Sequence, residues 1–215
     1  MKKNLTELVF IVDCSGSMAG LESDTIGGLN GVLAQHRALE GEAVASIVLF
    51  NTATKVLRDR LPLKSVPPLS EADYRACGGT ALLDAVGRSI RHIERVQGYL
   101  PEDYRAEKVI FVIATDGFEN SSHRYSYADV QDAIGRKKED GWEFLFLGAN
   151  MDAVAEASRI GIGADRAATY CADGLGTAAM FGAVVEATCS MRTEDAPIDG
   201  SWKSRLAQRM GRARR

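Results

Sequence analysis

The sequence lacks the features that stabilise small secreted domains or hold a chain in a membrane. Its 215 residues include four cysteines, which lie far apart and form no C-x-x-C pair: Cys14, Cys77, Cys171 and Cys189. Such spacing does not predict a disulfide framework, so the sequence favours reduced thiols and a cytoplasmic location. No stretch approaches the ~20 consecutive apolar residues of a transmembrane helix. We therefore expect no membrane association.

Charge of one sign and clustered histidines are also lacking. The chain has 26 Lys and Arg residues and 29 Asp and Glu residues, for a formal net charge of -3. This balance argues against nucleic-acid binding by the whole domain. The three histidines are scattered along the chain, which argues against a histidine-based catalytic site. The phosphate-binding motif G-x-x-x-x-G-K-[ST] and the nucleophile motif G-x-S-x-G are absent as well.

A signal peptide is not expected either. Lys2 and Lys3 precede an apolar stretch, as basic residues do in a secretory leader. However, Glu7 interrupts that stretch early, and Asp13 closes it. The apolar run is only about half a dozen residues long, which is too short for a leader.

The sequence does contain a buried strand that ends in oxygen-bearing side chains. Residues 8–12 are all apolar, which is typical of a parallel strand buried on both faces. Asp13 follows at its carboxyl end, where open α/β sheets bind their ligands. Ser15 and Ser17 complete a D-x-S-x-S pattern. These hard oxygen donors suit Mg²⁺, with Mn²⁺ or Ca²⁺ as alternatives, rather than zinc or copper.

The rest of the chain alternates between strand-like and helix-like segments. Apolar runs predict further strands near residues 43–50, 54–61, 108–115, 142–148 and 167–171. Helical spacing of apolar residues predicts helices near residues 19–39, 82–98, 127–139, 152–160 and 177–191. The strand at 54–61 follows a tight turn, so we expect it to be an antiparallel edge strand. The alternation predicts an α/β fold with a mostly parallel central sheet and helices on both faces.

A second acidic residue follows the most apolar strand. Asp116 comes directly after the strand at 108–115, so it should lie at the same sheet edge as Asp13. Two carboxylates about 4 Å apart at an effective dielectric of ~20 repel each other by about 4 kcal/mol. A divalent cation would remove this penalty. Thr80, at the start of the helix near residue 82, could add a further hydroxyl.

These three segments together resemble the metal-ion-dependent adhesion site (MIDAS) of the von Willebrand factor type A (vWA) domain family. The five motif positions are all filled: Asp13, Ser15, Ser17, Thr80 and Asp116. The order of elements is also similar to that family from Leu5 to Met191. The resemblance implies a Rossmann-like vWA domain over residues 1–195.

The resemblance also implies a function. In such sites the five residues hold a divalent cation, directly or through water, and one coordination position stays open. A glutamate or aspartate of a partner protein can fill that position. We therefore expect an intracellular protein-interaction module rather than an enzyme. By this interpretation Asp84 is structural, and Glu119 and Asn120 lie at the rim of the site.

Two other functions compete with this one. Asp13 could be the nucleophile of a Mg²⁺-dependent phosphoryl-transfer enzyme, although Ser15 stands where a second acid would be expected. The segment 196–215 carries six basic residues and no acid after residue 202, and we expect it to be a flexible tail. This tail could bind nucleic acid or an acidic partner, although a solvated end is the simpler interpretation. The sequence does not indicate an oligomeric state.

Overall fold

The fold is built on one six-stranded sheet. The computed structural model describes residues 1–194 and 200–213, and the side chains only as far as residue 208 in the last segment. Its strands are β1 (Lys2–Asp13), β2 (Glu42–Phe50), β3 (Thr54–Pro62), β4 (Ala106–Thr115), β5 (Glu143–Ala149) and β6 (Ala167–Tyr170). Its α-helices are α1 (Glu22–Arg37), α2 (Leu82–Tyr99), α3 (Tyr127–Glu139), α4 (Ala153–Arg159), α5 (Gly174–Thr193) and α6 (Ser201–Ala213).

The strand order is β3-β2-β1-β4-β5-β6. Strand β3 pairs antiparallel with β2, and all other pairs are parallel. One apolar cluster contains side chains of α1, α5 and α6 on one face of the sheet. A second cluster contains side chains of α2, α3 and α4 on the other face. The predicted α/β fold, with its antiparallel edge strand, is thus confirmed.

Helix α1 begins later than the sequence pattern predicts. Residues Gly16–Met18 form a single 3-10 turn, and Gly20 follows with a φ of 91°. A residue in this left-handed conformation cannot continue a right-handed helix. The helix therefore starts at Glu22 instead of near residue 19. The intervening turn leaves room for the polar loop that follows β1.

Helix α5 is longer than predicted because Asp173 caps it. The Asp173 carboxylate accepts a hydrogen bond of 2.6 Å from the Gly176 N–H, which starts the helix at Gly174. Among the described residues, α5 is the one helix whose length and composition would allow it to cross a membrane. The sequence was not expected to contain such a segment. Side chains of α5 instead pack into the core beside α1, and 56% of its most apolar 18-residue stretch is buried.

Residues 201–213 differ from the flexible tail expected. They form helix α6, and the side chains of Trp202 and Leu206 are each 1% exposed in the same core cluster as α1 and α5. The Trp202 indole N–H also donates to the Asp165 carbonyl at 3.2 Å. The sequence does not reveal this helix, because the two buried apolar residues of its described part are too few to stand out among the basic residues. Residues 196–199, 214 and 215 of the expected tail lie outside the described residues, as does residue 195 of the predicted domain.

Candidate metal centre

The sheet topology brings the two predicted aspartates to one edge. Strand β1 ends at Asp13, and Asp116 follows the last residue of β4. The two strands are neighbours, with Val12 aligned with Ala114. Chain connections run outward in opposite directions from β1 and β4, which makes a crevice at their carboxyl ends. Ligands of doubly wound sheets bind at this position.

Asp13 is the buried anchor of the site. Its side chain is 0% exposed, and its Oδ1 accepts a hydrogen bond from the Ser15 N–H at 2.7 Å. Its Oδ2 accepts from the Thr115 hydroxyl at 2.6 Å. Burial raises the pKa of Asp13. The hydrogen bonds from Thr115 and Ser15 lower it in part, and the nearby Asp116 carboxylate raises it further. No basic side chain contacts this carboxylate among the described residues, so its charge lacks a cationic partner.

A chain of side-chain oxygens leads from the buried loop to the surface. The Ser15 and Ser17 hydroxyl oxygens lie 3.0 Å apart. The Ser17 hydroxyl in turn donates to Asp116 Oδ1 at 2.7 Å. Ser15 is buried, Asp116 is half-buried and Ser17 is exposed. The four polar side chains of the two strand ends therefore form one continuous cluster that opens to solvent.

Thr80 reaches this cluster from a separate loop. The Gly16 N–H donates to the Gly78 carbonyl at 2.9 Å, and the Cys77 N–H donates to the Cys14 carbonyl at 2.9 Å. These bonds fasten the Thr80 loop beside the β1 loop. A Cβ atom placed on Gly117 would lie 2.9 Å from Thr80 Oγ1 and 3.8 Å from Ser17 Oγ. The structure thus brings all five predicted side chains together around one crevice.

Two further residues support the crevice: Thr115, which the sequence did not single out, and Asn120, which was expected at the rim. Thr115 holds Asp13 and also accepts the Gly117 N–H at 3.2 Å, although only its position beside Asp116 hints at this role. Asn120 Oδ1 accepts the Thr80 N–H at 2.9 Å, which fixes the Thr80 backbone. The contacts of Thr115 with Asp13 and of Asn120 with Thr80 could not be predicted from residue spacing, because each joins loops far apart in the chain.

Glu119 and Asp84 have structural contacts. Glu119 Oε2 accepts the Leu83 N–H at 2.9 Å and so caps the start of α2. Asp84 accepts the backbone N–H groups of His123, Arg124 and Tyr125 at 3.2, 2.9 and 3.0 Å. These contacts agree with the structural interpretation of Asp84. Both carboxylates thus hold the loop of residues 119–125 against the start of α2.

The donor chemistry of the crevice fits a hard divalent cation. It offers two carboxylates and three hydroxyls, and Mg²⁺ prefers oxygen ligands in an octahedral arrangement. Within the described part of the chain, no group of three or more His, Cys, Asp or Glu residues could hold a metal ion. The uncompensated charge of Asp13 also favours a cation here.

Solved structures with this architecture were found, although no family model and no curated protein matches the chain. A von Willebrand factor type A structure from Catenulispora acidiphila superimposes with a TM-score of 0.56 at 20% identity, over 85% of this chain and 42% of that one. This chain has a von Willebrand factor type A fold. Proximal thread matrix protein 1 from the mussel byssus shares the vWA fold, with a TM-score of 0.57 and 14% identity over 86% of this chain.

A third structure bears on the crevice. It is the same mussel protein with a zinc-occupied MIDAS motif, at a TM-score of 0.56 and 15% identity. This chain spans less than half the length of these matched chains, covering 42% to 46% of each. At such identities the likeness demonstrates only the vWA fold.

Proposed function

We propose that this vWA domain binds a partner protein through a divalent cation held by Asp13, Ser15, Ser17, Thr80 and Asp116. The observation that carries this proposal is the convergence of these five oxygen-bearing side chains at the switch point of the sheet. The zinc-occupied MIDAS motif of a protein with the same fold supports a divalent metal at this position. Mg²⁺ is our first choice because every donor is a hard oxygen.

The buried and the exposed residues of the site have different roles. Asp13 stays buried and orients Ser15 through the Ser15 N–H, so the innermost side of the site is rigid. Ser17 and Asp116 lie at the mouth, where a carboxylate of a partner could approach. A bound divalent cation supplies positive charge for that carboxylate. Three of the five donors are neutral hydroxyls, so only the two carboxylates of this chain balance the charge of the cation.

We also propose that the domain works inside the cell. None of the four cysteines forms a disulfide in the structure, and Cys77 is exposed, which suits a reducing compartment. The competing proposal, with Asp13 as a nucleophile for phosphoryl transfer, gains no support from the geometry. Both Asp13 oxygens are engaged in hydrogen bonds, and the side chain is fully buried. Metal-dependent turnover of a generic phosphoester, abolished in Asp13→Asn, would revive it.

Metal binding is the first test. Titration calorimetry with Mn²⁺ should give one site in the wild-type chain and at least about tenfold weaker binding in Asp13→Ala. A Ser15→Ala/Ser17→Ala variant should weaken binding as well and keeps the buried carboxylate. Asp103→Ala is the matched control, because Asp103 is exposed and lies in a turn at the start of β4. Equal affinity of Asp13→Ala and the wild type would refute the site.

Partner binding is the second test of the proposal. Protein captured from the native cell in Mg²⁺ should be released by EDTA and should not bind Asp13→Ala. Capture at full strength under both conditions would contradict a metal bridge. Metal at 100 times its dissociation constant should also stabilise the fold by about 2.7 kcal/mol, which thermal melts can measure.

A further inference from the structure

A second surface, rich in arginine, lies near the candidate metal centre. It is a groove between α2 and α3, with a volume of about 520 Å³, in the size range of ligand-binding clefts. Gly87 and Tyr125 line its inner wall. A Cβ atom on Gly87 would lie 2.4 Å from the Tyr125 ring, so only glycine allows this close packing. We call this surface the arginine groove.

Arginine side chains dominate the groove. Arg88 and Arg91 line it from α2, Arg136 lines it from α3, and Arg124 lines it from the loop before α3. All four are exposed, and within the described chain none of their guanidinium groups makes a hydrogen bond or an ion pair. Guanidinium groups pair strongly with carboxylates, so four of them without partners make an anion-binding surface.

The groove also contains carboxylates, but two of its three are already engaged. Glu94 pairs with Lys137 at 2.7 Å. Asp129 accepts the Ser126 N–H at 2.8 Å and the Ser126 hydroxyl at 2.6 Å in the capping box of α3. Asp132 is exposed on α3. With four arginines against three carboxylates, the groove keeps a net positive charge.

The arginine groove lies along the helix that starts next to the candidate metal centre. Arg124 follows the loop that begins at Asp116, and its N–H is held by Asp84 in the first turn of α2. Helix α2 starts at Leu82, beside Thr80, and runs away from the crevice. Gly87 lies five residues into it, or about 8 Å at 1.5 Å per residue. An extended peptide covers this distance in two to three residues, at about 3.3 Å each.

We propose that the arginine groove binds an acidic peptide segment of the partner, adjacent to the carboxylate that reaches the metal. This rests on the proposed function, since one segment occupies both sites. Acidic side chains begin at least two to three residues from the metal-binding residue and pair with Arg124, Arg88 and Arg91 in turn. The partner is thus recognised by a run of acids rather than by a single carboxylate, which raises both association rate and specificity.

The composition of the groove favours a peptide over a nucleic acid. A continuous phosphate backbone would lie against Asp132 and Asp129 as well as against the arginines. A peptide has backbone N–H groups that these carboxylates can accept, alternating with acidic side chains that pair with the guanidinium groups. The mixed charge of the groove matches that alternation.

The test uses a fluorescein-labelled decaglutamate peptide and fluorescence anisotropy. In EDTA at about 20 mM salt, the full chain should bind the peptide, and about 150 mM salt should weaken binding. Arg88→Ala/Arg91→Ala should weaken it about fivefold or more. Lys3→Ala/Lys64→Ala is the matched control, because it removes two exposed positive charges elsewhere and should bind like the wild type. A double arginine variant that binds like the wild type would overturn the groove.

Added Mg²⁺ separates this inference from the proposed function. Mg²⁺ should tighten peptide binding to the wild type but not to Asp13→Ala. Loss of the Mg²⁺ effect with arginine dependence intact would refute the metal bridge and keep the groove. Mg²⁺-dependent binding that is unchanged in the arginine variant would keep the metal bridge and refute the groove. A ten-nucleotide thymidine strand that binds through Arg88 and Arg91 more tightly than decaglutamate would also refute the peptide proposal.

Discussion

The two aspartates of the candidate metal centre have different environments. Asp13 is 0% exposed with both oxygens hydrogen-bonded, whereas Asp116 is half-buried and contacts Ser17 through Oδ1. Burial makes the charge of Asp13 costly unless a cation lies nearby. Asp116 can adjust its position at the mouth because solvent still reaches it. We infer that Asp13 sets the geometry of the crevice and that Asp116 responds to what enters it.

Gly117 tests this geometry directly. Its Cα faces the space between Thr80 and Ser17, and an added methyl group would lie 2.9 Å from Thr80 Oγ1. Gly117→Ala should therefore push the Thr80 hydroxyl out of position. We expect about tenfold weaker Mn²⁺ binding or worse, measured by calorimetry, because small displacements of supporting groups have effects of this size.

Gly135→Ala is the control for that variant. Gly135 is an exposed position in α3, and an added Cβ would meet nothing within 4 Å. This change should leave Mn²⁺ affinity unaltered and should stabilise the fold by about 0.5–1 kcal/mol, because alanine favours a helix. If Gly117→Ala binds Mn²⁺ as the wild type does, Thr80 is not part of the site.

At the level of residues, the sequence could predict that five oxygen-bearing side chains meet at one crevice, but not the contacts that support them. Asp13, Ser15 and Ser17 are close in the chain, and strand ends placed Asp116 at the same sheet edge. Their supports depend on loops that meet only in the folded state. The contact from the Thr80 N–H to Asn120 spans 40 residues. No periodicity or local motif carries that information.

Among the secondary structure elements, those with strong end signals were predicted best. Helix α3 was predicted at residues 127–139 and is observed at Tyr127–Glu139, because Ser126 and Asp129 form a capping box at its start. Helices α1 and α5 begin where glycines and a single turn obscure the pattern. The sequence of α6 predicts part of a flexible tail, because six basic residues and no acid follow residue 202.

The docking of α6 gives a prediction for this element. Trp202 is 1% exposed, and its indole N–H donates to the Asp165 carbonyl. Trp202→Ala should lower the free energy of unfolding by about 3 kcal/mol or more, as expected for the loss of a buried aromatic side chain. Urea denaturation measures this change. Gln208→Ala, at an exposed position of the same helix, should change it by less than about 0.5 kcal/mol.

The two variants distinguish a docked helix from a flexible tail. In a flexible tail Trp202 would be solvated in the folded state, and neither substitution would alter the unfolding transition. Equal stability of Trp202→Ala and Gln208→Ala would therefore contradict the packing of α6. The apolar cluster shared by α1, α5 and α6 would then have to end at α5.

For the whole molecule, one face of the sheet depends on a neutral histidine. His36 is 0% exposed on α1, and its Nε2 lies 2.8 Å from the Thr188 hydroxyl on α5. Arg192 of α5 also donates to the His36 carbonyl at 2.6 Å. Burial, and then the positive charge of Arg192, lower the pKa of His36 to about 4. Protonation of His36 therefore opposes the packing of α1 against α5.

This depressed pKa predicts how the stability of the whole fold depends on pH. The unfolded chain binds the His36 proton near pH 6.5, whereas the folded chain binds it only near pH 4. Between these values the unfolded state holds more protons, so the free energy of unfolding falls as the pH falls, by up to about 3 kcal/mol in total. Urea denaturation in EDTA from pH 7 to pH 4 measures this slope without interference from metal. His36→Gln cannot titrate and should reduce the slope by about one proton, and an unchanged slope would show that His36 is already solvated in the folded state.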